Sequence, residues 1–373
     1  MKVRIGIMSF TNVFTELRPR LKTYPGHFRL LVTSLLRNLA RLLALRLRAW
    51  LTGRKLIVIG LPERMGDIVA CTPFATWLRL QHPQSLIVWA ARLPYHEVLR
   101  GNSDIDAVLS PYCITGWIWL KKFRHIYDQL YDLVIPPMCC EQCLRQFTKE
   151  GTAGDVTVHN YYDFGSLLSA HTRSAGYSLD EGDPEVPISR ETASRVDRLE
   201  LPDRYVCIHT TSEDGLRNWQ PTQWNRLIDH INGVHGLCVV ELGLRSLLGR
   251  KDDGNYSNLC GQSCIAESAE IIRRAALFIG IDSGPAHLAN AVKTPGVILM
   301  GRYWTWDYYM PYTGFYADMR NCRILRQAGP VTDLPLDLCL NTVDEVLPAL
   351  LDTSDDPQHT KRGSASERRA LLQ

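Results

Sequence analysis

Between Glu16 and Glu63 the chain has no acidic residue, although Asp and Glu together account for 39 of its 373 residues. The same window holds ten bases: Arg18, Arg20, Lys22, Arg29, Arg37, Arg41, Arg46, Arg48, Arg54 and Lys55. A net charge of only +3 therefore conceals a basic leader joined to a net acidic remainder, which argues against a general nucleic-acid binder. No Walker-type Gly-x-x-x-x-Gly-Lys loop occurs, and the strict Gly-x-Gly-x-x-Gly pattern is missing, so P-loop and simple dinucleotide classes are disfavoured. No apolar run is long and charge-free enough to span a bilayer, and the polar start without a cleavage-like site is unlike a signal peptide. The eleven cysteines form no framework. Cys139, Cys140 and Cys143 cluster without a second pair at zinc-finger spacing, so reduced, mostly structural thiols in a cytosolic protein are expected, and no metal.

What is present is a repeated alternation of strand and helix. Apolar runs such as Leu56–Ile57–Val58–Ile59 and Leu86–Ile87–Val88–Trp89 read as parallel strands buried on both faces. The alternation pauses at Pro202 and restarts with a strand over Tyr205 to His209. This predicts an α/β protein with two Rossmann-like doubly wound domains facing across a cleft. The expected division is a leader over 1–54, a first domain over 55–200, a second over 201–351 and a disordered tail over 352–373.

Residues 28–51 predict a basic amphipathic helix. On a helical wheel Phe28, Leu31, Val32, Leu35, Leu36, Leu39, Leu42, Leu43, Leu47 and Trp50 share one side, with Arg29, Arg37, Arg41 and Arg48 opposite or bordering and Arg46 interrupting the apolar face. Such a helix suits an anionic membrane surface, or packing on the protein's own body or another subunit.

Three turns carry candidate chemistry. Arg64–Met65–Gly66–Asp67 follows the first strand, where Asp67 can be a general base or a helix cap. Thr210 to Trp219 offers hydroxyls, a glycine and Arg217, which suits a diphosphate or an ordinary solvated loop. Gly280–Ile281–Asp282–Ser283–Gly284–Pro285–Ala286–His287 reads as strand, turn and helix start, where free N–H groups and the helix dipole make a seat for phosphate; His287 faces that seat or lies in the interior. Asp104–Ile105–Asp106 resembles a metal-holding acidic pair, but a polar turn explains it.

Together these segments, from about Lys55 to Leu351, resemble the heptosyltransferase family of glycosyltransferases, which build the inner core of bacterial lipopolysaccharide. The opening strand with Arg64–Met65–Gly66–Asp67 and Thr72–Pro73, the stretch Thr210–Thr211 with Arg217–Asn218–Trp219, and Gly280 to Ala289 with Thr294–Pro295 and Gly301 carry the likeness. The resemblance implies a GT-B architecture and metal-independent transfer, with inversion, from a nucleotide-diphosphate sugar to a glycolipid acceptor. It implies Asp67 as catalytic base, with Arg64 and Gly66 on the acceptor-side turn. Donor phosphates are implied at Thr210, Thr211, Ser283, Gly284 and His287 with Arg217, and Asp282 beside the donor sugar. The chain departs from the family in having Arg217 where many members have Lys, in the acid-free Gly243–Leu244–Arg245–Ser246 where members place a ribose-binding acid, and in its basic leader. The expected partners are a nucleotide sugar, a glycolipid and an anionic membrane surface met by residues 28–51, at the cytoplasmic face of the inner membrane. An inactive binding or assembly protein of the same fold and a nucleotide-sugar epimerase remain alternatives.

Overall fold

A computed structural model describes the backbone of residues 10–147 and 155–354 and the side chains of residues 26–147 and 155–351. The chain forms two units. One holds the residues up to Pro187 together with Tyr309–Gly314, the other Ile188–Tyr308 with the residues from Phe315 onward.

The first unit opens with helix α1 (Phe10–Leu51), longer than the predicted 28–51. Strand β1 (Leu56–Gly60), α2 (Met65–Ala70), α3 (Thr72–Gln81), β2 (Leu86–Ala90), α4 (His96–Leu99), β3 (Ala107–Leu109), α5 (Ile114–Leu120) and β4 (Gln129–Asp132) follow. The strands pair in parallel in the order β3-β2-β1-β4. β1 and β2 are buried at every position, which is why their sequences run apolar without alternation. Helices α2 and α3 are divided at Cys71. Pro73 has no N–H for the Val69 carbonyl, and the Thr72 hydroxyl donates to that carbonyl instead, at 2.8 Å. A small antiparallel hairpin, β5 (Met138–Cys140) and β6 (Arg145–Phe147), and helix α6 (Leu167–Ser174) complete the unit.

The amphipathic helix is divided differently from the wheel. Leu31, Leu42, Leu45 and Ala49 are buried in the core of the first unit, joined by Ser34 and Asn38, whose side chains donate to the Ser110 carbonyl at 2.9 and 2.8 Å. Leu36, Leu43, Leu47 and Trp50, expected beside them, are exposed, as are Arg29, Arg41 and Arg48. Arg46, which interrupts the apolar face, reaches Asp128 of the same unit at 2.6 Å. No described helix is long and apolar enough to cross a membrane.

The second unit begins with α7 (Arg190–Asp197). This helix, expected with the first domain, packs on α9 (Ile265–Arg274), held by Arg195–Glu267 and Arg274–Asp197 pairs, each at 2.7 Å. The division therefore falls at Pro187–Ile188 and not near residue 200. The chain continues through β7 (Tyr205–His209), α8 (Pro221–His235), β8 (Cys238–Glu241), β9 (Tyr256–Asn258), α9, β10 (Leu277–Ile281), α10 (Gly284–Ala291), β11 (Gly296–Met300), the short α11 (Gly314–Ala317), β12 (Cys322–Arg326) and α12 (Leu336–Ser354). Helix α8 starts with Pro221 at its first position and stops at Gly236, whose φ of 64° only glycine adopts cheaply. The expected tail from 352 opens with the last turn of α12, and residues 355–373 lie outside the described residues.

The second sheet runs β12-β11-β10-β7-β8-β9, all parallel. Counted within the unit this is the order 3-2-1-4-5-6 of a dinucleotide-type sheet. Its direction of winding reverses between β7 and β10, and in the first unit between β1 and β4.

Candidate active site

Both switch points carry polar residues at the carboxyl ends of the strands, where ligands of open α/β sheets bind. In the first unit the chain leaves β1 through Leu61–Pro62–Glu63 and turns into α2. Arg64 is the N-cap and makes no side-chain cap bond; it pairs with Glu141 at 3.7 Å, both side chains being largely exposed. Gly66 lies in the first turn. Asp67 is the third helical residue, not the cap, and its Oδ1 lies 3.5 Å from Nε2 of His171 on α6. The other ring nitrogen, Nδ1, is 2.7 Å from the carbonyl of Leu133, just beyond β4. A carbonyl only accepts, so Nδ1 carries a proton, and Nε2 can donate to Asp67 only as imidazolium. Burial opposes that charge, yet Asp67, the Leu133 carbonyl and Glu63 outweigh it and hold His171 above its ordinary value. Half-buried Glu63 is pushed up to about 7, first by desolvation and then by the Asp67 charge. Glu63 and His171 are absent from the sequence-based set. Nothing in spacing links His171 to Asp67, 104 residues away.

Next to this cluster is a cavity of about 440 Å³ lined by Phe164, Ser166, Ser169, Arg173, Ser178 and Asp180. Helix α6 thus presents His171 to Asp67 and Ser169 and Arg173 to the cavity; the Arg173 guanidinium lies over the Phe164 ring at 4.5 Å.

In the second unit β7 and β10 are neighbours, with His209 opposite Gly280, so the turns leaving them are adjacent. Two links join these turns. Ser283 Oγ is 2.9 Å from His209 Nδ1, and Arg217 Nη1 donates to the Asp282 carbonyl and carboxylate at 3.1 and 3.3 Å. Arg217 also approaches Asp214 at 3.8 Å and lies over the Tyr303 ring at 4.8 Å. Burial pushes His209 down to about 4, so it is a neutral hydrogen-bonding group. Ser283 is the N-cap of α10, but its hydroxyl makes no cap bond; it turns to His209 and to the Ile281 carbonyl, at 3.2 Å. Gly284 opens the helix, Thr211 is half-buried, and His287 is buried one turn further in.

Two of the expected site residues have their side chains engaged within this unit. Thr210 is buried, and its hydroxyl donates to Glu241 Oε1 at 2.6 Å, while Tyr256 donates to Oε2 at 2.5 Å. The Thr210 hydroxyl is therefore engaged with Glu241 in the interior. Asp282 is 2% exposed and paired with Arg217. Of the acidic pair before β3, Asp104 accepts from Thr76 at 2.7 Å and Asp106 takes Arg79 at 2.7 Å and the Ile87 N–H at 2.8 Å, as a structural turn requires.

Two doubly wound parallel-sheet units with chemistry at each switch point are the domain content of a GT-B glycosyltransferase. Residues 163–303 match the model of glycosyltransferase family 9, the heptosyltransferases. It is 26% identical over 176 residues to lipopolysaccharide heptosyltransferase 3 of Escherichia coli K12, covering 43% of this chain and 51% of that protein. It is 29% identical over 155 residues to the autotransporter heptosyltransferase TibC of E. coli O78:H11, covering 40% and 36%. The chain thus spans about half the length of the first curated relative and about a third of the second. In fold it is similar to a family 9 glycosyl transferase from Veillonella parvula (TM-score 0.61, 16% identity, 79% of this chain and 97% of that one). It is also similar to the E. coli ADP-heptose lipopolysaccharide heptosyltransferase II (TM-score 0.60, 18% identity, 79% and 99%).

Proposed function

We propose that the chain is an inverting glycosyltransferase that moves a heptose or similar sugar from a nucleotide-diphosphate donor to a lipopolysaccharide-type or other glycolipid acceptor, with no metal in the chemistry. The observation that carries this is the Asp67–His171 pair at the first switch point, in a chain whose residues 163–303 match the heptosyltransferase family. An imidazolium beside Asp67 keeps the carboxylate ionised and fixed, as a general base must be. The acceptor hydroxyl gives its proton to Asp67, and its oxygen attacks the anomeric carbon on the face opposite the diphosphate. Arg217, Thr211 and the start of α10 at Ser283–Gly284 take up the charge that builds on the leaving group. Asp282 and Tyr303 hold the Arg217 guanidinium in one orientation for that task. The serine-lined cavity with Arg173 and Asp180 suits a hydroxyl-rich acceptor.

A peripheral place on the inner face of the cytoplasmic membrane belongs to the same proposal. It is supported by the outer face of α1, where Leu36, Leu43, Leu47, Trp50 and three arginines are exposed together. The deciding experiment measures transfer and donor binding for Asp67→Ala. Turnover should drop at least about 100-fold with donor affinity within about twofold of wild type. Undiminished turnover removes Asp67 from the role, and donor binding without transfer by the wild-type chain to any glycolipid leaves the inactive binding protein as the better account.

A further inference from the structure

We propose that Cys113, Cys140 and Cys143 form a thiolate site for a single thiophilic divalent cation, of which Zn(II) is the representative. The three sulfurs lie within 4.8 Å of one another, and Cys113 Sγ and Cys143 Sγ are 3.8 Å apart. A Zn–S bond of about 2.3 Å in a tetrahedral site separates two ligating sulfurs by roughly 3.8 Å, so this pair already has the ligand spacing. It is far beyond the S–S bond length of about 2.05 Å, and all three cysteines are free.

The local fold builds the site from two pieces. β5 and β6 pair with Cys140 opposite Arg145, so Cys140–Glu141–Gln142–Cys143 is a Cys-x-x-Cys turn across a hairpin, and Leu144 with φ 50° closes it. Strand alternation puts Cys140 inside and its neighbour Cys139 outside. Cys113 comes from the residue before α5, 27 positions upstream of Cys140, a ligand that the sequence does not reveal. Three protein sulfurs leave a fourth position for water. Each thiol releases its proton to solvent as it ligates.

The bound ion pins the β5–β6 hairpin to α5, and α5 packs on α1, where Gly116 faces Leu31. Glu141 inside the Cys-x-x-Cys turn is the partner of Arg64 on the Gly-Asp turn. The site is thus a structural clamp beside the candidate acceptor side, separate from the reacting groups, and it revises the expectation that the chain holds no metal.

The test uses the full chain purified with reductant and without chelator, then saturated with Zn(II) or Co(II) and desalted. Elemental analysis should find about one ion per chain, and the Co(II) form should show thiolate-to-metal charge-transfer absorption. Cys113→Ser, Cys140→Ser and Cys143→Ser should each lower retained metal at least about tenfold, with Cys139→Ser unchanged. Should the variants not fold, the wild-type stoichiometry and Co(II) spectrum decide alone. Retention below about a tenth of an ion per wild-type chain overturns the site, as does a Cys113 disulfide in mass spectra of the alkylated, reductant-purified chain.

Discussion

Nε2 of His171 lies 3.5 Å from Oδ1 of Asp67, and Nδ1 of the same ring is anchored to the Leu133 carbonyl. The anchor fixes the tautomer, so the contact is favourable only when the ring is charged. The Asp67 carboxylate is thereby coupled to an imidazole whose proton is held above the ordinary histidine value. Asp67 alone could be an ordinary first-turn acid. With a buried histidine behind it, it is held in a defined orientation with a charge partner that resists its protonation.

Replacing His171 by Gln removes that cation. Asp67 then takes up a proton at higher pH, so the acid limb of the kcat/KM profile moves upward while the donor KM stays near wild type. Turnover at pH 7 falls about tenfold to a hundredfold by loss of positioning and of ionised base. An acid limb that stays in place shows that the imidazolium does not control the base.

Glu63 makes a separate prediction for stability. Its carboxyl sits at about 7 in the folded chain and at the ordinary carboxylate value of 4.5 when unfolded. Between those values the folded state binds more protons, so stability falls as pH rises through the window. The raised value of His171 acts with the same sign, its contribution being present below its ordinary value and lost as pH rises through the folded one. Glu63→Gln should therefore raise the melting temperature at pH 8, by at most roughly 3 kcal/mol of stability given its partial exposure, and leave it nearly unchanged at pH 4. Thermal melts at the two pH values decide; equal effects at both contradict the assignment.

Thr210 and Arg217, adjacent in the sequence argument, should separate in experiment. Thr210→Val leaves Oε1 of Glu241 without its donor, which costs about 1–3 kcal/mol of stability and little nucleotide affinity. Arg217→Lys keeps the charge but loses the Nη1 contacts to the Asp282 carbonyl and carboxylate and the planar stack on Tyr303, so donor affinity or turnover falls about tenfold or more with a smaller change in melting temperature. Isothermal titration with a nucleoside diphosphate, beside thermal melts, tells them apart. A Thr210→Val protein that melts normally but no longer binds nucleotide returns Thr210 to the phosphate site.

Legibility followed locality. β1, β2, β7 and β10 were readable because a strand buried on both faces must be apolar throughout, and the turns after β1 and β10 because Gly, Asp, Ser and Pro have distinct backbone roles. β12 was not, because Arg323 and Arg326 interrupt its apolar residues. His171, Glu241 and Cys113 were invisible as site residues, since each acquires its meaning from a partner dozens of positions away. Thr210 and Asp282 were located correctly at strand ends, but sequence cannot say whether a side chain there points to a ligand or is spent on a neighbour.

The outer face of α1 gives the last prediction. Leu42 and Leu45 face the core, whereas Leu43 and Leu47, one and two positions on, are exposed beside Arg41 and Arg48. Substituting both Leu43→Glu and Leu47→Glu removes apolar area and sets two acids among the arginines without touching the core. Co-sedimentation with vesicles rich in anionic lipid should fall at least about tenfold, since each lost contact and each added repulsion weighs about 1 kcal/mol or more, while the melting temperature holds. Leu42→Glu, by contrast, puts a charge into the core of the first unit and should unfold it. Undiminished binding of the double variant to anionic vesicles, with neutral vesicles as the baseline, assigns that face to something other than lipid.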